Sequence, residues 1–308
     1  MDDYSAGETI GFSAQLAAIY TELSRYSSLF CRARFGLSVT EYELLLCLWE
    51  AETPLGFNRL SDFLMLKTST LWHMVPPPLI DRSLLAAESS DEDRRRARLS
   101  LTEKGRLLAE ECCRDLFAFS KGVAQGSLPD VEYNHYLSTG IGGNLDILRG
   151  HEADFELRRV PADGQGVEFT LFTRAILERW RSCVRKECGL AFNEFRVLHA
   201  LSGVPSLRIQ DISDRLLSPR SHVSLSKRRL CEAHLAKEMP NPFDSRSVLV
   251  GLTAKGQRTL DRALPALDAI TIPAHNPGTD EAVMILRAWH SRMYYNLKRN
   301  HATLLESF

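Results

Sequence analysis

A chain of 308 residues, 44% hydrophobic and 25% charged, has the composition of a soluble globular protein of two domains, neither fibrous nor disordered. Its formal net charge of -1 excludes a uniformly basic nucleic-acid coat, so any DNA contact must come from local basic patches set against acidic surface elsewhere. No apolar run approaches the ~18 residues of a bilayer-crossing helix, the start MDDYSAGETIG lacks a signal peptide's basic and apolar regions, and seven irregularly placed cysteines suit a reducing compartment, so the expectation is a cytoplasmic protein with no membrane contact.

The first predicted element is a long amphipathic helix, about Phe12 to Phe35, and three shorter helices follow it. The third lies in LKTSTLWHMVPPPLIDRSLLA, Leu66 to Ala86. Thr68 and Ser69 are N-cap candidates there, and Leu71, Met74 and Val75 keep a helical spacing. Pro76, Pro77 and Pro78 then each remove an amide donor and push the preceding residue out of the α region, which predicts a helix end near Val75. Two strands come next, with SSDEDRRRAR at their tip. LTEKGRLLAEE opens a long helix with Thr102 as N-cap candidate, and a further helix covers about Pro129 to Arg149. HEADFELRRVPADGQGV has the charge, proline and glycines of a linker.

The same order then returns. A long helix over about Phe169 to Glu187 precedes three shorter ones, the third announced by Ser218-Pro219, a capping serine followed by proline at the first helical position. Two strands carry PNPFDSRS at their tip, LTAKGQRTLDRA opens a helix behind Thr253, and a last helix covers Asp280 to Asn300. Residues match as well as elements: Gly36-Leu37 with Gly189-Leu190, Glu41 with Glu194, Tyr42 with Phe195, and Ser61-Asp62 with Ser213-Asp214. DRRRARLSLTEKG and DSRSVLVGLTAKG share Asp, Arg, Leu, Leu-Thr and Lys-Gly, and between these matches the second copy loses one residue in the proline stretch.

Three helices, a two-stranded wing with Asp-x-Arg at its tip, and Leu-Thr-x-x-Gly opening a helix resemble the MarR family of winged-helix transcription regulators, over nearly the whole chain and twice. The resemblance implies a mainly α fold with small β-wings. Copies at 1–150 and 169–308, joined by a linker at 151–168, would place two winged helix-turn-helix domains on an interlocked helical base. Family members look like two-fold dimers, and with both halves on one chain the expected product is a monomeric, covalent pseudo-dimer. Physics favours the same arrangement, because apolar first and last helices cannot bury themselves within one copy, whereas the tethered sister copy offers a matching face at high effective concentration.

The resemblance makes Thr68 to Val75 and Pro219 to Leu230 the recognition helices. The second offers Arg220, Ser221, His222, Ser224 and Arg228, types that donate to base edges or phosphates; the first offers Thr68, Ser69, Thr70, Trp72 and His73, with Lys67 beside them. The first wing adds Arg94, Arg95, Arg96 and Arg98, suited to phosphates and a narrow minor groove, and the second only Arg246. By motif, Asp93 and Asp244 orient Arg95 and Arg246. A solvated helix face is the bland alternative for either row.

Nothing in the sequence suggests catalysis, a metal or a cofactor: it has no phosphate-cradling glycine loop with Gly-Lys-Ser/Thr, no His-Glu-x-x-His and no Cys-x-x-Cys. Cys112-Cys113 and Cys183/Cys188 read as buried small hydrophobes before redox sensors. Tyr20, Arg25 and Trp49 are the candidates for a cleft where similar proteins look to bind small aromatic acids. The functional expectation is a non-enzymatic repressor that binds specific duplex DNA and is released by a small aromatic ligand. The alternative is a sensor or interaction module that keeps the fold without binding DNA.

Overall fold

The computed structural model describes residues 9–74, 77–88, 98–123, 141–152, 154–155, 157–158, 160–161, 164–244, 246–275 and 278–306, with the side chains of 72–74, 77, 123, 141–143 and 301–306 left aside. Arg94, Arg95 and Arg96, the acids Asp91, Glu92 and Asp93, and much of the helix expected over Pro129 to Arg149 lie outside the described residues, as do the side chains of Trp72 and His73. The chain divides into two compact units, Ser24–Ala175 with Ser307–Phe308, and Met1–Leu23 with Ile176–Glu306. These units cut across the boundaries expected at 150 and 169. The first takes in the start of a long helix from the second half of the sequence, and the second takes in the start of one from the first half.

In the Ser24–Ala175 unit, the later part of α1 (Ala14–Phe35) leads into α2 (Val39–Ala51). Ser38 and Glu41 close a reciprocal capping box: the Ser38 hydroxyl accepts the Glu41 amide at 3.3 Å, and the Glu41 carboxylate accepts the Ser38 amide at 2.7 Å. Strand β1 (Leu55–Gly56), α3 (Phe57–Phe63), α4 (Thr68–Met74) and α5 (Pro77–Asp81) come next. Strands β2 (Leu85–Glu88) and β3 (Arg98–Leu101) precede α6 (Glu103–Val123), α7 (Ile141–Arg149) and the start of α8 (Val167–Cys188). The antiparallel sheet runs β1-β3-β2, with Leu55 opposite Leu99 and Leu85 opposite Leu101. Tyr26, Tyr42, Leu45 and Phe172 are fully buried in its core.

The second unit joins the start of α1 and the rest of α8 to α9 (Phe192–Ala200), β4 (Leu207–Arg208), α10 (Ile209–Leu216) and α11 (Arg220–Glu232). Strands β5 (Ala236–Pro240) and β6 (Val248–Leu252), then α12 (Ala254–Ala274) and α13 (Asp280–Glu306), complete it. Its sheet has the same order, β4-β6-β5. Phe12 packs edge-on to Trp180 at 5.1 Å, and the Phe12 amide donates to Asp268 at 2.7 Å, so the N-terminal segment is built into this core.

Three local expectations are corrected. The wings are three-stranded, because two-residue strands β1 and β4, too short for any periodicity, pair with β3 and β6. The helix before the prolines runs to Met74, in keeping with the expected end near Val75, and a further helix spans Pro77–Asp81, since proline fits the first turn, where its missing amide has no helical partner anyway. Ser218 does not cap α11: the N-cap is Pro219, with no side-chain cap, and the helix starts at Arg220. The segment expected as a linker packs on the first unit rather than hanging free. Phe155 meets Phe63 at 5.0 Å, Arg59 pairs with Asp154 at 2.7 Å, and the Gln165 amide donates to the Cys113 carbonyl at 3.0 Å.

Candidate nucleic-acid interface

The turn between α10 and α11 is set by Ser213 and Leu217. Leu217 ends α10 in the left-handed region at φ 49, the Ser213 hydroxyl donates to the Ser218 carbonyl at 2.6 Å, and the Ser218 amide donates to the Ser213 carbonyl at 3.1 Å. In the first unit, Met65 has φ 50, the Ser61 hydroxyl donates to the Leu66 carbonyl at 2.6 Å, and the Leu66 amide donates to the Ser61 carbonyl at 2.9 Å. The repeated Ser-Asp thus marks a helix-turn-helix corner held by a serine hydroxyl.

This corner fixes which face of α11 is buried. Val223, Ser226 and Leu230 turn inward, and Arg220, Ser221, His222, Ser224 and Arg228 are all exposed. The five residues expected from the sequence therefore share the outer side of one helix. Leu225, 40% exposed, stands among them; its spacing from Ser221 and Arg228, four and three residues, would have found it. The other two basic residues of the last turns are held in ion pairs. Lys227 pairs with Glu238 on β5, and Arg229 pairs with Glu194 on α9 at 3.1 Å.

The wing follows directly from α11. Asp244 accepts the Arg246 amide at 3.0 Å and lies 3.7 Å from its guanidinium, so the expected orienting aspartate is present in the second wing. Behind each wing, Leu-Thr-x-Lys-Gly locks sheet to helix. Thr102 and Thr253 accept the amides of Gly105 and Gly256 at 3.0 Å, as caps expected from sequence. Lys104 and Lys255 each donate at 2.8 Å to a carbonyl just after the recognition segment, Arg82 and Ala233.

In the first unit, Ser69 and Thr70 are exposed on α4 and Leu71 is buried. Thr68 is half-buried, with its hydroxyl 3.1 Å from Ser61 at the corner. Arg98 is exposed on β3 opposite Glu88. Leu79 of α5 is fully buried, as is Leu230 in the unbroken α11.

Tyr20, Arg25 and Trp49 are not brought into one site within either unit. Tyr20 is buried in the second unit, its hydroxyl hydrogen-bonded to His275 at 2.9 Å. In the first unit, Arg25 lies over Tyr26, and Trp49 is covered by the Arg158 guanidinium at 3.7 Å. Arg158 also pairs with Glu52 at 2.8 Å and borders a cleft of about 330 Å³ lined by Trp49, Glu52, Thr102, Glu103 and Arg106. All seven cysteines are free thiols. Burial pushes Cys31 up to about 12, and raises Cys112 and Cys47, the reverse of what a reactive thiolate needs.

Residues 192–256 match the family described as winged helix DNA-binding domain, a span running from α9 through the wing into α12. That is a DNA-binding module and not an enzyme family. Among solved structures, the YusO protein from Bacillus subtilis is 24% identical, with 33% of this chain and 72% of that one covered and a TM-score of 0.30. A MarR family transcriptional regulator from Streptomyces coelicolor in complex with DNA is 20% identical over 39% of this chain and 77% of that one, with a TM-score of 0.33. The PcaV transcriptional regulator from the same organism is 20% identical over 44% and 95%, with a TM-score of 0.31. No curated protein matches. The chain is mainly helical, with two small antiparallel three-stranded sheets and a match to a winged-helix domain over residues 192–256, and no helix among the described residues is long and apolar enough to cross a membrane.

Proposed function

We propose that this chain is a MarR-like transcription regulator that binds specific duplex DNA through two winged-helix heads carried on one polypeptide. The observation that carries the reading is the exposed row of Arg220, Ser221, His222, Ser224 and Arg228 on α11, backed by buried Val223, Ser226 and Leu230. The second head is the better reader. The first has Ser69 and Thr70 on a helix cut at Met74, and leans on the wing arginines Arg94, Arg95, Arg96 and Arg98 for phosphate and groove contact.

A duplicated, pseudo-dimeric chain is supported by the sequence matches and by paired left-handed positions, Gly36 with Gly189, Met65 with Leu217, and Ser83 with His234. Monomeric mass by light scattering is the expected result, and a stable dimer at micromolar concentration would overturn the pseudo-dimer. Repression, and release by a small aromatic ligand, follow the family resemblance; the cleft beside Trp49 has the size for such a ligand. The test of DNA binding is a gel shift on the DNA upstream of the protein's own gene, over a range of salt. Arg220→Ala and Arg228→Ala are expected to weaken specific binding, each by about 1–3 kcal/mol. No salt-dependent shift would favour the DNA-free sensor reading, which the net charge of -1 and the prolines of the first head support.

A further inference from the structure

The tip of the second wing carries an aromatic ring with nothing to pack against among the described residues. Phe243 is 95% exposed, whereas the other large exposed hydrophobics of the described residues run from 37% to 64%. Isolated surface leucines are ordinary, but a phenylalanine standing almost wholly in water is held there against its preference.

Hydrogen bonds join the described residues around it. Asn241 accepts the Phe243 amide at 3.1 Å through its side-chain oxygen and donates to the Ser247 hydroxyl at 2.7 Å, closing the turn from both sides. The Ser247 amide donates to the Asp244 carbonyl at 3.0 Å, and Asp244 takes the Arg246 amide. Pro240 and Pro242 flank the ring, both exposed. The Arg246 side chain, also 95% exposed, projects from the same tip. Lys227 of α11 is paired to Glu238 of β5, which ties the wing to the recognition helix. An exposed ring and an exposed guanidinium, both presented on a tied-down turn beside a DNA-reading helix, fit one partner chemistry.

We propose that Phe243 is an apolar wedge that enters the DNA minor groove with Arg246 and partly unstacks one base step, bending the duplex at the half-site read by the second head. Architectural minor-groove proteins insert phenylalanine and proline in this way, and the groove's negative potential draws in arginine. The first wing, SSDEDRRRAR, has no aromatic residue, so the bend belongs to one half of the site. The inference rests on the DNA-binding reading above.

The test uses the full chain and a duplex that it selects from a random pool, labelled at its ends for energy transfer and carrying 2-aminopurine near the second head's half-site. Wild type is expected to bend this duplex and brighten the 2-aminopurine. Phe243→Ala is expected to lose the bend and the brightening and to bind about tenfold more weakly, with the salt slope unchanged because no phosphate contact is removed. Phe243→Leu keeps most of the bend. Arg246→Ala lowers the salt slope. A Phe243→Ala protein that binds and bends like wild type overturns the wedge while leaving the DNA reading intact; so does one that binds weakly with the bend retained. Failure of wild type to select any duplex, with Arg220→Ala indistinguishable from it, overturns the DNA reading and the wedge together.

Discussion

A β-carbon on Gly256 would stand 2.1 Å from the carbonyl oxygen of Leu235, and one on Gly105 would stand 2.0 Å from that of Leu84. Both contacts are with backbone, which cannot turn aside as a side chain can. Gly256→Ala should therefore destabilise the second unit by about 1–3 kcal/mol, the usual cost of overfilling a packed site, although alanine is the better helix former. Urea unfolding would measure it, and an unchanged midpoint would sink the account. The motif was legible in the sequence, and so were the caps at Thr102 and Thr253. Its remaining letters were not. Lys255 reaches the Ala233 carbonyl and Gly256 admits the Leu235 carbonyl, and both partners sit across the wing, where no local pattern points. The α11 row was legible for the opposite reason: a helix announces its faces by spacing alone.

Each winged helix also holds one buried guanidinium against the carbonyl that ends the helix before its corner, and the two arginines come from different elements. In the first unit Arg174, on α8, donates to the Leu64 carbonyl at 2.5 Å and pairs with the fully buried Glu43 of α2 at 2.8 Å. In the second, the buried Arg196 of α9 donates to the Leu216 carbonyl at 2.5 Å, and burial lowers its pKa to about 10 against the opposing charge of buried Glu22 on α1. Glu43 and Arg196 occupy matching positions in the two halves, so a carboxylate in one head stands where a guanidinium stands in the other. A second head given an α8-like helix would set arginine against arginine. The reversal makes each long helix fit one head only, a specificity that identical copies could not have. Glu43→Arg alone should cost about 3–5 kcal/mol, since it strands Arg174. Adding Arg174→Glu copies the second head's arrangement into the first and should recover most of that loss, as read by urea unfolding. A double variant no more stable than either single one would show that the pairing carries no specificity. Sequence comparison exposed the matched positions but not this exchange, because Arg174 stands far from Glu43 along the chain.

At the scale of the whole molecule the two heads are expected to differ in how they would read DNA and in how they answer to pH. In the first, three prolines stand where α11 has Arg228 and Arg229, and Arg229 is paired with Glu194, so on the proposed DNA-binding reading the loss is one basic contact rather than two. The preferred site is still expected to have one well-specified arm and one degenerate arm, and selection from random duplexes that returned an evenly strong palindrome would contradict this. The pH responses have opposite signs. In the second unit, burial holds His199 and His275 down to about 4 and holds His290 well below its ordinary value, with His275 adding to that effect. Their unfolded value is near 6.5, so between about 6.5 and 4 the unfolded state binds more protons, and stability falls as pH falls. In the first unit, burial raises Glu50 to about 8, against the pull of the Val167 amide it accepts at 2.6 Å, and raises Glu168 to about 7, with Asp146 adding to the rise. Here the folded state binds more protons between about 4.5 and 8, so stability falls as pH rises. Hydrogen exchange read by mass spectrometry, corrected for the intrinsic pH dependence of exchange, should show peptides of Met1–Leu23 and Ile176–Glu306 loosening toward acid and those of Ser24–Ala175 loosening toward alkali. Glu50→Gln should flatten the alkaline response and leave the acid one untouched. Two units that loosen together, in the same direction, would mean that these buried groups do not govern the stability of the heads that contain them.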